Sequence, residues 1–366
     1  MPERDAPKPP RPAIDRAAYR LAQGLRTAWF SGHYALTARL SPPRNRKRET
    51  ADTAETGDTA ESGPRGPSWK TVNEDLAALF RRDWDNIERG YYRLPHDMWP
   101  NPGAVLRQSA RYFRDLDAVN RRKRARVTDE VVNGEHGARL PSYYLQNFHY
   151  QTDGYLSPES ARLYDYQVEV LFTGGADAMR RQLLVPLRSA FETVPIRRAR
   201  MIDVACGTGR FLTFVKDNYP RLQVTGVDLS TPYLLEARRR LRPWSRADVA
   251  VALAEQLPFA DASVDIASCI FLFHELPHAV RRRAAAEMAR VLRPGGMLLF
   301  MDSIQLGDRP DFDPLLHGFP QAMHEPYYAD YIRDDLRGLF VEAGFEIAEE
   351  SRAFFARMTV LRRLPG

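Results

Sequence analysis

Two short stretches hold residue types able to do chemistry. The first is 201–209, MIDVACGTG, where an apolar run meets an acid, Asp203, two small residues, Ala205 and Cys206, and the glycines Gly207 and Gly209. The second is 270–277, IFLFHELP, where His274 and Glu275 directly follow an apolar run. Glycines after a buried strand allow positive φ and close approach of a ligand to the backbone. The amides at the start of the next helix add a positive pole that draws a negative group. About twenty residues on, VTGVDLS puts Asp228 at the end of a second apolar run, where a carboxylate accepts both hydroxyls of a ribose. These spacings imply a nucleoside-bearing cofactor. The dinucleotide fingerprint needs a third glycine at position 212, which is Leu212, so a pyrophosphate is disfavoured. His274 can exchange a proton near neutral pH, with Glu275 beside it to orient the ring; a helix-capping or core histidine is the alternative. The pair lacks zinc-site spacing, and no metal centre is expected.

The elements that position these residues follow from hydrophobic period. From Ala199 the pattern alternates strand and helix: ARMIDVA, GRFLTFVKDN, QVTGVDL, TPYLLEARRRL, DVAVALA, VDIASCIFLF, HAVRRRAAAEMARVL, MLLFMDS, DYIRDDLRGLFVEAG, FEIAEE and FARMTVLRR. Strands joined by helices of this length predict an α/β fold, a doubly wound parallel sheet covered on both faces. The last two strands are too close for a crossover and should form an antiparallel hairpin.

The N-terminal part is different. Leu21, Leu25, Trp29 and Tyr34 recur at near-helical spacing within 14–40; Val72, Leu76, Phe80, Trp84, Ile87 and Tyr91 predict a helix ending near Leu94; a third helix spans about 103–124. Between the first two, 41–67 has almost no apolar residue larger than Ala, and it is read as a disordered insertion. The organisation expected is a helical segment 1–40, the insertion 41–67, a helical extension 68–145, a helical cap 146–195 and the sheet domain 196–366. The extension could be a lid, an oligomerisation module, a membrane-surface anchor or helices packed on the main domain. In the cap, Ser157 precedes a helix, and Leu183 to Val194 predicts another. His149, Tyr150, Asp153, Gly154 and Tyr155 lie just ahead of Ser157, as a candidate wall of the active site or as core aromatics.

Four blocks, in order and at their spacing, carry a resemblance over about 196–305: DVACGTG (203–209), VTGVDLS (224–230), AEQLPFADASVDIASC (254–269) and RVLRPGGMLLFMD (290–302). Together they resemble the class I S-adenosylmethionine-dependent methyltransferases, particularly the small-molecule branch with the ubiquinone and menaquinone C-methyltransferases. The resemblance implies a Rossmann-like seven-stranded sheet ordered 3-2-1-4-5-7-6 with an antiparallel last strand. It implies S-adenosylmethionine as cofactor. Asp203 would contact its methionine amino group; Gly207 and Gly209, with Ala205 and Cys206 in the same turn, would underlie the methionine portion, and Asp228 would bind the ribose. Leu229 and the stretch from Ala254 to Leu257 would pack on the adenine, and Cys269 and Ile270 would face the cofactor. Two departures stand out. Ala205 replaces a frequent glycine, tolerable if φ there is negative. Leu253 replaces the usual acidic acceptor of the adenine amino group, leaving Glu255, Gln256 or a backbone carbonyl to serve.

In this fold the insertion at about 304–328 commonly covers the substrate. It contains His317, His324, Glu325, Tyr327 and Tyr328, so His324 is a rival base to His274, and the aromatic residues suggest an apolar or aromatic acceptor. The motif of nucleobase amino-methylation is absent where FLFHELP stands, and neither cysteine has the context of cytosine C5-methylation. Methyl transfer to oxygen or carbon of a small hydrophobic molecule is the expectation, such as a quinone-like phenol, a polyketide or a lipid acid. RNA methylation through a basic N-terminal segment and a non-catalytic cofactor-binding or assembly protein are the alternatives.

Composition bounds the rest. The chain has 366 residues, 53 basic against 47 acidic and mostly interspersed, which gives little pull on nucleic acid. Its one dense basic run, RRKRARV at 121–127, reads as a solvated helix end or disordered joint, with a nucleic-acid or anionic-lipid contact as the alternative. The two cysteines suit a reducing compartment, and the opening MPERDAPKPPRP lacks the apolar core of a secretory signal, so a cytoplasmic protein is expected. No apolar run approaches the roughly 20 residues of a membrane span. Peripheral membrane contact and a homodimer stay open.

Overall fold

The computed structural model describes residues 12–41, 66–131 and 140–365. Of the expected disordered insertion, 42–65 lies outside the described residues. The chain starts with three long helices, α1 (Pro12–Leu40), α2 (Trp69–Glu88) and α3 (Pro102–Ala125), followed by α4 (Pro158–Leu171), α5 (Ala176–Arg181) and α6 (Leu184–Ala190). The sheet domain then runs β1 (Arg200–Val204), α7 (Arg210–Asn218), β2 (Gln223–Asp228), α8 (Thr231–Leu241), β3 (Ala247–Val251), β4 (Val264–Ile270), α9 (His278–Val291) and β5 (Leu292–Ser303). It ends with α10 (Asp313–Met323), α11 (Tyr328–Tyr331), α12 (Leu336–Glu342), β6 (Phe345–Ala353) and β7 (Ala356–Arg363). Helix starts follow local chemistry: the side chains of Ser68, Asn101 and Ser157 accept amides of α2, α3 and α4, with a proline opening α3 and α4.

The seven strands pair in the order β3-β2-β1-β4-β5-β7-β6. The strands from β1 to β5 are parallel, while β7 is antiparallel to both β5 and β6. This is the Rossmann-like arrangement that the resemblance implies. Helices cover both faces, so β1 and β4 bury nearly every residue and read as continuous apolar runs. Strand order reverses at β1, whose neighbours are β2 and β4. The crevice beyond their carboxyl ends is where a ligand fits in such a sheet.

Three expectations about helices change. In α1, Leu21 and Leu25 are exposed; the buried side is Tyr19, Ala22, Phe30 and His33, because polar contacts decide the rotation of the helix. The phenol of Tyr19 donates to Asp83, and His33 contacts Ser109 and Tyr166. The helix expected over 183–194 is the shorter α6, which ends at Ala190, and α5 precedes it. The one expected over 330–344 splits into α11 and α12, because Asp335 accepts the Gly338 amide and starts a new helix.

The N-terminal helices pack on the sheet domain. Asp83, fully buried, accepts two bonds from Arg181 (2.5 and 3.1 Å), one from Tyr19 (2.5 Å) and one from Tyr92 (2.7 Å). Arg26 of α1 pairs with Glu169 and Asp177, and Asp177 also pairs with Arg210 at the start of α7. The basic run 121–126 is the end of α3, where cations suit the helix dipole; Arg122 there pairs with Glu130 at 2.5 Å. No helix of the described residues is long and apolar enough to cross a membrane.

Candidate active site

The turn between β1 and α7 is built as a cradle. Gly207 and Gly209 have φ of +54° and +73°. A Cβ on Gly209 would sit 3.1 Å from the Cβ of Ala237 in α8, so close packing and backbone angle both demand glycine. At Gly207 a Cβ would meet only Tyr233, at 4.0 Å, which leaves that face of the turn open. Asp228 holds the turn in shape: one carboxylate oxygen accepts the Gly207 amide and the other the Ser230 amide, each at 2.8 Å. Burial pushes its pKa up, against the pull of those amides. Below the turn, Asp203 is buried at 2% exposure and accepts the Ser268 hydroxyl at 2.6 Å. Burial pushes Asp203 up to about 7, with the nearby Asp228 adding to the effect.

Ala205 has φ of +57°, so the condition under which alanine is readily tolerated there is not met. An alanine is thus held in the left-handed region because the turn must bend there to bring the Gly207 amide to Asp228. His149, Tyr150, Asp153, Phe271 and His324 share the left-handed conformation, and of these Phe271 lines the crevice. Such angles are unfavourable for residues with a Cβ and collect at functional sites.

A pocket opens above the cradle. Its floor is Ala205, Gly207, Asp228 and Leu229, one side is Ala252 to Glu255, and the other is Ile270, Phe271, Leu272, Glu275 and Leu276. Tyr143, Tyr144, Tyr155, Tyr164 and Tyr233 roof it. The first four come from the cap and its approach; only Tyr155 among the five was singled out in the sequence. The Tyr-Tyr pair in PSYYLQNF was the available signal, but nothing local says which side of the sheet it covers.

Other expected cofactor residues fall away from this pocket. Cys269 is fully buried in β4, and Cys206 and Leu257 are core residues, with the Leu257 amide bound to Glu287 at 2.6 Å. Gln256 points to solvent. Glu255 lines the pocket: one oxygen accepts the Tyr143 hydroxyl at 2.7 Å, and the other, Oε2, is buried without a hydrogen-bond partner. That orphaned acceptor fits the exocyclic amine of an adenine. With the open face at Gly207 and the free capacity of Asp228, the residues present fit S-adenosylmethionine.

At the acceptor end, His274 is buried at 8% exposure. Its orienting partner is Asp302, not Glu275: Nδ1 lies 2.6 Å from Asp302 Oδ1, whereas Nε2 is 3.9 Å from Glu275. The parallel pairing of β4 with β5 puts Asp302, at the end of β5, beside the segment leaving β4. Burial acts to lower the His274 pKa, but the charge and hydrogen bond of Asp302 outweigh it, with Glu325 and Glu275 adding, and push it up to about 9. Glu275 accepts the Tyr155 hydroxyl at 2.5 Å; burial raises it to about 7, opposed by His274 and reinforced by Glu325.

The segment expected as a lid, 304–328, and the turn ahead of α4 bring the remaining expected residues into two groups. Glu325, with its side chain fully buried, is in contact with His149, and the Tyr328 hydroxyl bonds Ser303 beside Asp302. These three face the His274 end of the pocket. His324, the rival base, instead contacts Gln146 at 3.2 Å, and its ring lies tilted against Tyr150, 5.5 Å between ring centres. Tyr327 packs against the aromatic cluster of Phe148, Tyr155 and Tyr233.

Comparisons agree with this geometry. A sequence family described as a methyltransferase domain matches residues 201–296. The chain is 30% identical over 175 residues to a malonyl-[acyl-carrier protein] O-methyltransferase of Geobacter sulfurreducens, covering 47% of this chain and 65% of that one. It is 36% identical over 135 residues to a demethylmenaquinone methyltransferase of Thermus thermophilus, covering 36% and 57%. The matched region thus spans less than two thirds of these relatives' length. A solved S-adenosylmethionine-dependent methyltransferase from Aquifex aeolicus aligns at 17% identity and a TM-score of 0.40, over 57% of this chain and all of that one. The family match runs from β1 through the glycine turn and Asp228 into β5, within a sheet of that order, so over residues 201–296 the chain is similar to methyltransferase domains.

Proposed function

We propose that this protein transfers a methyl group from S-adenosylmethionine to an oxygen or carbon of a small, hydrophobic or aromatic molecule. One observation carries the reading: a single pocket runs from the cradle at Gly207 and Asp228 to Phe271, Leu272 and Glu275, beside His274. Asp228 would hold the ribose hydroxyls, Glu255 Oε2 the adenine amine and Asp203 the methionine ammonium. When bound, the cofactor supplies an electrophilic sulfonium methyl. The chain itself aligns the acceptor and excludes water with its tyrosine roof. Asp302 fixes the imidazole of His274 so that Nε2 is the nitrogen left to exchange a proton with the acceptor. The charge and hydrogen bond of Asp302 raise the pKa of that imidazole; a positive charge entering the pocket would act against this and favour the neutral ring, whose Nε2 can take a proton. Relatives named for O-methylation and for quinone methylation support oxygen and carbon acceptors.

Calorimetric titration with S-adenosylmethionine tests the cofactor. Binding should weaken at least roughly tenfold in Asp228→Ala, the loss expected for a charge-assisted hydrogen bond. No binding at millimolar cofactor would sink the proposal. The acceptor class is tested by incubating the protein, methyl-labelled cofactor and a cell extract: label should enter the organic-extractable small molecules, and label confined to RNA or protein would overturn that part.

A further inference from the structure

Three potential metal ligands that are distant in sequence meet at the acceptor end of the pocket. His149 comes from the turn ahead of α4, Glu275 from the segment after β4, and Glu325 from the lid. One donor atom from each lies within 4.8 Å of the others. Glu325 is 2% exposed, and neither of its carboxylate oxygens has a hydrogen-bond partner; Nε2 of His149 touches Glu325 without hydrogen-bond geometry. A buried carboxylate that lacks donors is strongly unfavourable unless a cation compensates it. The other imidazole nearby, His274, is already committed to Asp302. Two carboxylates and the imidazole of His149 therefore meet at one end of the pocket.

We propose that His149, Glu275 and Glu325 bind one divalent transition-metal ion, such as zinc or manganese, with an open position facing the acceptor. Three protein donors of nitrogen and oxygen with one or more vacant positions are the pattern of a catalytic metal site. Donors ~2.1 Å from one ion lie up to ~4.2 Å apart, so side-chain shifts of roughly half an ångström close the shell. Neighbouring positions in the sequence gave no such spacing; the lid and the cap supply it only when folded. Glu275 also lines the pocket, so an acceptor oxygen entering there can complete the coordination. The ligand class is then a phenol, enol or carboxylate whose oxygen the ion holds as an anion. This role at the acceptor rests on the methyl-transfer reading, whereas ion binding does not. Titration with metal alone and titration with cofactor alone can therefore fail separately.

The experiment is calorimetry of the full chain, freed of metal by a chelator, with Zn²⁺ and separately Mn²⁺, together with Co²⁺ as an optical probe. One ion per chain should bind, Co²⁺ should give visible absorption bands, and metal should raise the melting temperature. Glu325→Gln and His149→Gln, each keeping much of the side-chain volume, should weaken binding roughly 10- to 100-fold. Circular dichroism shows whether each variant is folded. If a folded Glu325→Gln protein melts no lower than the metal-free parent, the unpaired carboxylate is a burden without the ion, as proposed. The proposal is overturned if the folded parent binds none of the three ions at millimolar concentration. It is equally overturned if the double variant binds as tightly as the parent, since the ion then sits elsewhere.

Discussion

Replacing Asp203 with Asn should stabilise the free protein at alkaline pH while weakening cofactor binding, and the size of the first effect follows from the burial. Asp203 is 2% exposed, and its pKa rises from 3.8 to about 7. The folded state thus binds a proton more tightly than the unfolded chain, and stability falls as pH rises from about 4 through 7. Each pH unit in that window costs about 1.4 kcal/mol. Between about pH 5.5 and pH 8 the parent should lose about 2 kcal/mol that Asp203→Asn does not lose, because the penalty stops growing above about 7. The amide can still accept the 2.6 Å bond from Ser268, so geometry is kept and only the charge is removed. The assay is urea unfolding of both proteins at the two pH values, comparing the change in midpoint free energy. Cofactor binding carries the opposite sign. An ammonium beside Asp203 favours the carboxylate, so binding near about pH 6 should release a proton in the parent and none in the variant. Calorimetry in buffers of different ionisation enthalpy reads that release. If the two proteins show the same pH dependence of unfolding, Asp203 is already ionised in the folded state and the reasoning fails.

Two further outcomes concern the framework. Ala205→Gly relieves a left-handed alanine, so the unfolding free energy should rise by about 1 kcal/mol, read as a shift in urea midpoint; no gain would mean that the turn relaxes around the methyl group. Asp83→Ala leaves the buried guanidinium of Arg181 unpaired and should cost about 3–5 kcal/mol, whereas the double variant Asp83→Leu with Arg181→Met should lose less than Asp83→Ala alone. Equal losses would place the stabilisation in packing of the N-terminal helices and not in the ion pair.

The strand order was implied by resemblance to a known family; the sequence alone determined the strands, the glycine turn and the closing hairpin. Those features depend on local signals: apolar runs of strand length, a glycine turn with Asp228 about twenty residues on, and a final pair of strands too close for a crossover. Each is set within a βα unit and needs little knowledge of the rest of the chain. Tertiary structure decided what lies across the pocket. Leu21 and Leu25 looked like the buried face of α1, yet the contacts of Tyr19 and His33 turned them outward. Glu275 was the adjacent acid, yet pairing of β4 with β5 gave His274 to Asp302. The sign of φ at Ala205 was set by the need to reach Asp228. Meeting points between His149, Glu275 and Glu325, or between Tyr143 and Glu255, join segments that no spacing rule links. Chain neighbours constrain backbone conformation, but proximity between remote side chains exists only once the sheet has fixed where each loop emerges.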